Sequence, residues 1–161
     1  MFVLRGTQKL RKRLKMPVSP SQAGDTVLGD WYADLRPVRP KHLVLLVNDR
    51  TRFPVLVHAS PLTSLQPRFC IALSKQLCAI GAADDATDAE MARMDTMRVD
   101  KTASRSVLAT MMDYRFMLEA YMDGGPPHDL HAVSMKMALG PCGPLDMESP
   151  IDVTRSALNG A

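Results

Sequence analysis

The sequence predicts an α+β domain: a small, mainly antiparallel sheet centred on a 42–58 hairpin and covered on one face by four or five helices. Three observations predict it. Leu43-Val44-Leu45-Leu46-Val47 is apolar at every position, as a central strand requires. Asn48-Asp49-Arg50-Thr51 then supplies turn residues, and Phe53–His58 runs back as the partner strand. Beyond that hairpin, apolar residues recur every three or four positions, so runs of helix follow the strands without strict alternation.

The elements follow in order. Phe2–Leu4 is a short strand candidate. Thr7 is placed to cap a helix reaching about Lys15, its hydroxyl accepting from an orphan amide. Leu10 and Leu14 share one face of that helix, and Arg11, Lys12, Arg13 and Lys15 occupy the rest. Pro17–Thr26 is a loop, and Leu28–Leu35 fits either a strand or a short helix, ended by Pro37 and Pro40. Pro54 cannot donate to a ladder, which places it at an edge or a strand start.

Ser64–Gly81 has helical spacing through Leu65, Phe69, Leu73, Leu77 and Ile80, with Gly81 as its C-cap. Asp84–Met94 is a second helix with acids in its first turn. Met97–Lys101 is a further strand candidate. Ser104–Met122 is a long helix with an apolar stripe of Val107, Leu108, Met111, Met112, Phe116, Leu118 and Tyr121. Gly124-Gly125-Pro126-Pro127 breaks the chain, and Asp129–Leu139 is the last helix.

From Gly140 the chain is rich in Pro and Gly. Pro141-Cys142-Gly143-Pro144-Leu145 is rigid and partly apolar, so it is expected to pack back on the domain, with Cys142 buried and inert. The organisation is one domain over residues 1–150, followed by a loosely ordered end over 151–161.

A chain of 161 residues fits one domain and buries a core without disulfides or metals. With 46% apolar residues but 5% aromatics, and 12 Met, that core is aliphatic and methionine-filled. Cys70, Cys78 and Cys142 are odd in number and widely spaced, which is no disulfide framework. Cys70 and Cys78 read as buried small hydrophobes on a helix. Met1–Lys15 lacks the apolar stretch of a secretory signal, and no run approaches the ~20 residues of a membrane span. The expectation is a cytoplasmic protein without membrane association.

The net charge of +3 hides an asymmetry. Through Arg52 there are eleven Lys/Arg against four Asp, a balance of +7, and from Phe53 onward the balance is −4. A basic N-terminal half can attract phosphate, or it can be complemented by the acidic half of its own fold.

Two helix starts carry cations. At the first, Arg5 precedes Gly6-Thr7-Gln8-Lys9, where free amides and a lysine can hold an anion. The turn is too short and too poor in glycine for a phosphate-binding P-loop. At the second, Lys101, Thr102, Arg105 and Ser106 open the long helix; cations there oppose the macrodipole, so an anion should compensate. That anion is either a bound phosphate or an internal carboxylate from Asp100, Glu90 or Asp95. Trp31 beside Tyr32 can stack a base near a basic surface or anchor a core edge.

Glu90 and Asp113 are candidate acid/base or metal-binding carboxylates, although spacing alone does not bring them together. His128 and His131 sit three apart without a further ligand cluster. No nucleophile elbow, zinc motif, dinucleotide fingerprint or Cys-x-x-Cys is present, so neither cofactor nor metal is expected.

Four blocks stand out: Val3-Leu4-Arg5-Gly6-Thr7-Gln8-Lys9-Leu10; Leu28-Gly29-Asp30-Trp31-Tyr32-Ala33; Lys101-Thr102 with Arg105-Ser106-Val107-Leu108; and Pro141-Cys142-Gly143-Pro144-Leu145. Together they resemble a bacterial family catalogued as a domain of unknown function, DUF6933, from the first residues to about Pro150. The resemblance implies relatives but no activity. It also implies a cysteine where this chain has Gly6, so a thiol there is not essential to what this chain does.

The leading functional expectation is a binding module for a phosphate-bearing partner, nucleic acid or nucleotide, through the basic N-terminal half. One alternative is a hydrolase or transferase acting on a phosphate ester, with Arg5, Lys9, Lys101 and Arg105 stabilising charge. The other is a protein-interaction or antitoxin-like accessory role, with a homo-oligomer or another protein as partner, for which a Met-rich exposed groove is the sign.

Overall fold

Strand direction follows from what joins each pair. Strand β1 (Phe2–Gly6) is followed by helix α1 (Gln8–Leu14) before β2 (Trp31–Arg36). That connection is long enough for a crossover, and β2 lies parallel to β1, with Leu4 opposite Trp31. β3 (Leu43–Asn48) and β4 (Pro54–His58) follow through short links and pair antiparallel. Helices α2 (Leu65–Ala79) and α3 (Asp84–Arg93) then return the chain to β5 (Met97–Lys101). β5 pairs parallel with the free side of β1, from Phe2↔Met97 to Gly6↔Lys101. The order is β4-β3-β2-β1-β5.

Helices α4 (Arg105–Tyr121), α5 (Leu130–Ala138) and α6 (Pro150–Asn159) complete the computed structural model, which describes residues 1–19, 22–38, 41–122 and 129–160. The α+β class holds. The sheet is mixed rather than mainly antiparallel, because two helical crossovers flank β1. Among the described residues there are six α-helices rather than four or five. The predicted break at Gly124–Pro127, together with Pro40 and His128, lies outside the described residues.

Helices cover both sheet faces, not one. On the first face Phe2, Leu4, Trp31, Ala33, Val44, Leu46 and Val55 pack with Leu10 of α1, Leu65, Phe69, Leu73 and Leu77 of α2, and Leu158 of α6. On the second, Tyr32, Leu45, Val47 and Leu56 pack with Val107, Met111, Tyr114 and Leu118 of α4 and Val133 and Met137 of α5. β3, apolar from Leu43 to Val47, sits where both layers meet it. Its residues are buried throughout, and burying the Leu or Val side chains contributes about 1.5–3 kcal/mol each.

Pro54 opens β4, an edge strand, where its missing N–H is tolerated. That edge is covered by α5: the Leu56 N–H donates to Ser134 Oγ at 3.0 Å, and Ser134 is fully buried. Ser134→Ala leaves this amide without an acceptor and should destabilise the fold by about 1–3 kcal/mol in urea denaturation. An unchanged midpoint would show that α5 does not close the edge.

The hairpin turn rests on Asn48, also fully buried. Its Oδ1 accepts from the amides of Arg50 and Thr51, and its Nδ2 donates to the carbonyls of Leu28 and Asp30. Helix α2 ends at Ala79 with Ile80, not Gly81, as its C-cap; Gly81 follows with a φ of 83°, where no Cβ has to be accommodated. Residues 151–159, expected as a loose end, belong to α6, with Thr154 and Leu158 buried against the first face. Cys70 is half-buried and Cys78 exposed, so neither is the fully buried residue expected on α2.

Candidate functional site

The parallel pair β1–β5 places two of the four sequence blocks side by side, since Gly6 lies opposite Lys101. From there the chain diverges: α1 leaves to the first face and α4 to the second. Adjacent parallel strands whose following helices take opposite faces open a crevice beyond their carboxyl ends, the usual ligand position in open sheets with crossovers.

Arg5 is committed within this edge. Its Nε donates to Asp30 Oδ2 at 2.8 Å, and its Nη1 donates to Asp100 Oδ2 at 3.4 Å and to the Lys101 carbonyl at 3.1 Å. Burial alone lowers its pKa, but the two carboxylates more than offset that, and the net shift is upward. The internal network expected around Asp100 therefore exists, but it neutralises Arg5 rather than Arg105.

Thr7 occupies the N-cap position without capping by its side chain. Its hydroxyl donates instead to Asp34 Oδ1 at 2.7 Å, and Asp34 also pairs with Arg36. Gln8 and Lys9 are exposed on α1, as are Lys12, Arg13 and Lys15 just beyond. None of these cations forms an ion pair among the described residues. Lys101 and Arg105 are exposed and likewise unpaired among them, while Thr102 is half-buried. Lys9 and Arg105 flank one sheet edge from opposite faces, which does not enclose a composite catalytic site between them.

Two candidates are taken out of chemistry by burial. Trp31 is fully buried, edge-on to Phe69 at 5.0 Å, so it cannot stack a base. Glu90 is fully buried, and its two carboxylate oxygens accept from the amides of Val27 at 2.8 Å and Leu28 at 3.0 Å. It anchors the approach to β2 and has no exposed oxygen to act as base or metal ligand.

Asp113 and Ser106 lie elsewhere, about two turns apart on α4. Both line a cleft of about 290 Å³ between α4 and residues 140–144, together with Tyr114, Met117 and Cys142. The Pro/Gly tail thus packs on the domain as its composition suggests, turning at Gly143–Leu145 with Met147 N–H donating to the Cys142 carbonyl. Sequence reasoning missed Arg52, whose Nη2 donates to Ser106 Oγ at 3.0 Å from beneath the cleft. Tyr114 fixes the same turn by donating from its hydroxyl to the Arg52 carbonyl at 2.7 Å, and burial pushes its phenol well up.

Cys142 is half-buried rather than fully buried, and burial pushes its thiol up, as it does for Cys70. At neutral pH a maleimide should therefore modify Cys78 rapidly and Cys70 and Cys142 slowly. Cys142 reacting as fast as Cys78, read by peptide mass mapping, would contradict the packing of the tail. Of the paired histidines, His131 is half-buried in a hollow with His58 and Asp129, and His128 lies outside the described residues. Among the described residues no group of three or more His, Cys, Asp or Glu is placed to hold a metal, and no helix is long and apolar enough to cross a membrane.

Fold and site together define an α+β domain with an open basic carboxyl edge and a separate tail-closed cleft. Residues 3–153 match the family described as Domain of unknown function (DUF6933), and the chain belongs to that family. No curated protein matches the chain.

Proposed function

We propose that the chain is a binding module for a phosphate-bearing partner, nucleic acid ahead of free nucleotide. One observation carries the reading: Lys9, Lys12 and Arg13 on α1 and Lys15 just past its end stand exposed without carboxylate partners among the described residues. Lys101 and Arg105 extend that positive potential across the carboxyl edge of β1 and β5. Several unpaired cations spread along one stretch of chain suit a polyanion that contacts several at once.

The test is fluorescence polarisation with short single-stranded and duplex oligonucleotides at low salt. Lys9→Glu, Lys12→Glu and Arg13→Glu combined should weaken binding by about 100-fold or more, since each contact is removed and replaced by repulsion. No binding by the parent chain, or binding untouched by the triple change, would refute the reading.

A second reading, a protein-interaction role, is supported by one feature of α4. Met112 and Phe116 are 55% and 61% exposed, one helical turn apart, beside a hollow lined by Met111, Arg36 and Arg115. If this stripe joins two copies of the chain, light scattering should give a concentration-dependent mass that Phe116→Ser abolishes. A monomer at all concentrations would remove the homo-oligomer.

A further inference from the structure

Ser106, Thr110, Asp113 and Met117 follow one another along α4 at steps of four, three and four residues, which puts them on one helical face. All four line the cleft closed by residues 140–144, and Met137 of α5 and Pro141 of the tail contribute apolar surface to it. Asp113 is the one charged group among the described lining residues. The fold makes no use of this carboxylate. It lies beyond the first turn, where an acid would favour the helix dipole, and aspartate is a poor helix former elsewhere. Asp113 is exposed and forms no ion pair among the described residues. Two cations of the region are committed to other groups: Arg115 pairs with Glu119 at 3.3 Å, and Arg52 holds the Ser106 hydroxyl and Asp49. The negative charge also reaches the tail wall, since Asp113 adds to the burial that pushes the Cys142 thiol up.

We infer that the cleft binds a small organic monocation, an ammonium on an apolar body, with the ammonium on Asp113 and the body against Met117, Met137 and Pro141. A mostly apolar cleft of about 290 Å³ with one placed charge suits a small molecule of that kind. The ammonium donates charge-assisted hydrogen bonds to the carboxylate. One carboxylate matches one positive charge. Arg52 lies beneath the Ser106 end, about 10 Å along the helix from Asp113, and repels a second, so a monoamine is selected over a diamine. The site does not involve the α1 cations.

The experiment is an NMR titration of the full chain at neutral pH with 2-phenylethylammonium, neutral 2-phenylethanol, methylammonium and 1,5-diaminopentane. The first should shift the amides of Asp113, Gly140 and Gly143 saturably. Loss of its charge in the alcohol, loss of its apolar body in methylammonium, or a second charge in the diamine should each weaken binding at least about fivefold. Asp113→Asn, a change of charge at an exposed position, should weaken 2-phenylethylammonium by a similar factor. Glu119→Gln removes a carboxylate from α4 outside the cleft and should bind like the parent. The four ligands decide the matter on the parent chain even if a variant fails to fold. No saturable shift with 2-phenylethylammonium, equal binding of any of the other three, undiminished binding in Asp113→Asn, or an equal loss in Glu119→Gln would overturn the inference.

Discussion

Replacing Glu90 with leucine should lower the stability of the fold by about 2–4 kcal/mol, because it leaves the buried amide of Leu28 and the half-buried amide of Val27 without acceptors, at about 1–3 kcal/mol for a fully buried one. The leucine fills similar space, so the loss is one of hydrogen bonding and not of packing. Against a typical total of about 5–15 kcal/mol, the variant should melt far below the parent. Glu90→Gln, which keeps one acceptor oxygen, should fall between the two. Urea denaturation with far-UV circular dichroism measures all three. A leucine variant with the parent midpoint would show that this carboxylate is not the anchor of the segment leading to β2. A catalytic carboxylate would give the opposite pattern, with stability kept and activity lost.

Ending the chain after Leu139 should have a comparable effect, about 3–6 kcal/mol. Leu158 is 1% exposed in the first-face core, and its removal alone accounts for about 1.5–3 kcal/mol. Two hydrogen bonds that close the α2–α3 junction are lost with it. Arg155 Nη1 donates to the Ile80 carbonyl at 3.0 Å, and Asn159 Oδ1 accepts from the Ala83 amide at 2.8 Å. The truncation also removes one wall of the α4 cleft. A truncated chain with an unchanged melting temperature would make the tail and α6 passengers.

What was legible in the sequence is what local patterning determines. The 3.6-residue period placed α2, α4 and α5 within a residue or two, and the turn residues at Asn48–Thr51 placed the hairpin. Met97–Lys101 reads correctly as a strand, but nothing in those residues says that β5 lies beside β1, so the parallel pairing stayed hidden. The apolar run of β3 did contain the sign of a sheet covered on both faces, although one-sided cover was expected.

The site shows the same division. The exposed cations of α1 follow from helical geometry around the buried Leu10. Glu90 reads as a candidate acid/base or ion-pairing carboxylate, yet Thr87, Glu90 and Met94 share one helical face and are all buried, which makes it a structural anchor. Its amide partners lie more than sixty residues away and carry no sequence mark. Arg52 looks like an ordinary turn residue, because its left-handed backbone and its reach to Ser106 arise only once α4 packs over the hairpin.

The most direct test of the central claim is the salt dependence of nucleic-acid affinity for the unmodified chain. If Lys9, Lys12, Arg13 and Lys15 each neutralise a phosphate, log K for duplex DNA should fall linearly against log salt concentration with a slope of about −3 to −4. The triple-glutamate chain, which keeps only Lys15 of the four, should bind far more weakly with a slope no steeper than about −1. A parent affinity that does not change with salt would contradict binding of a phosphate-bearing polyanion through the basic face of α1.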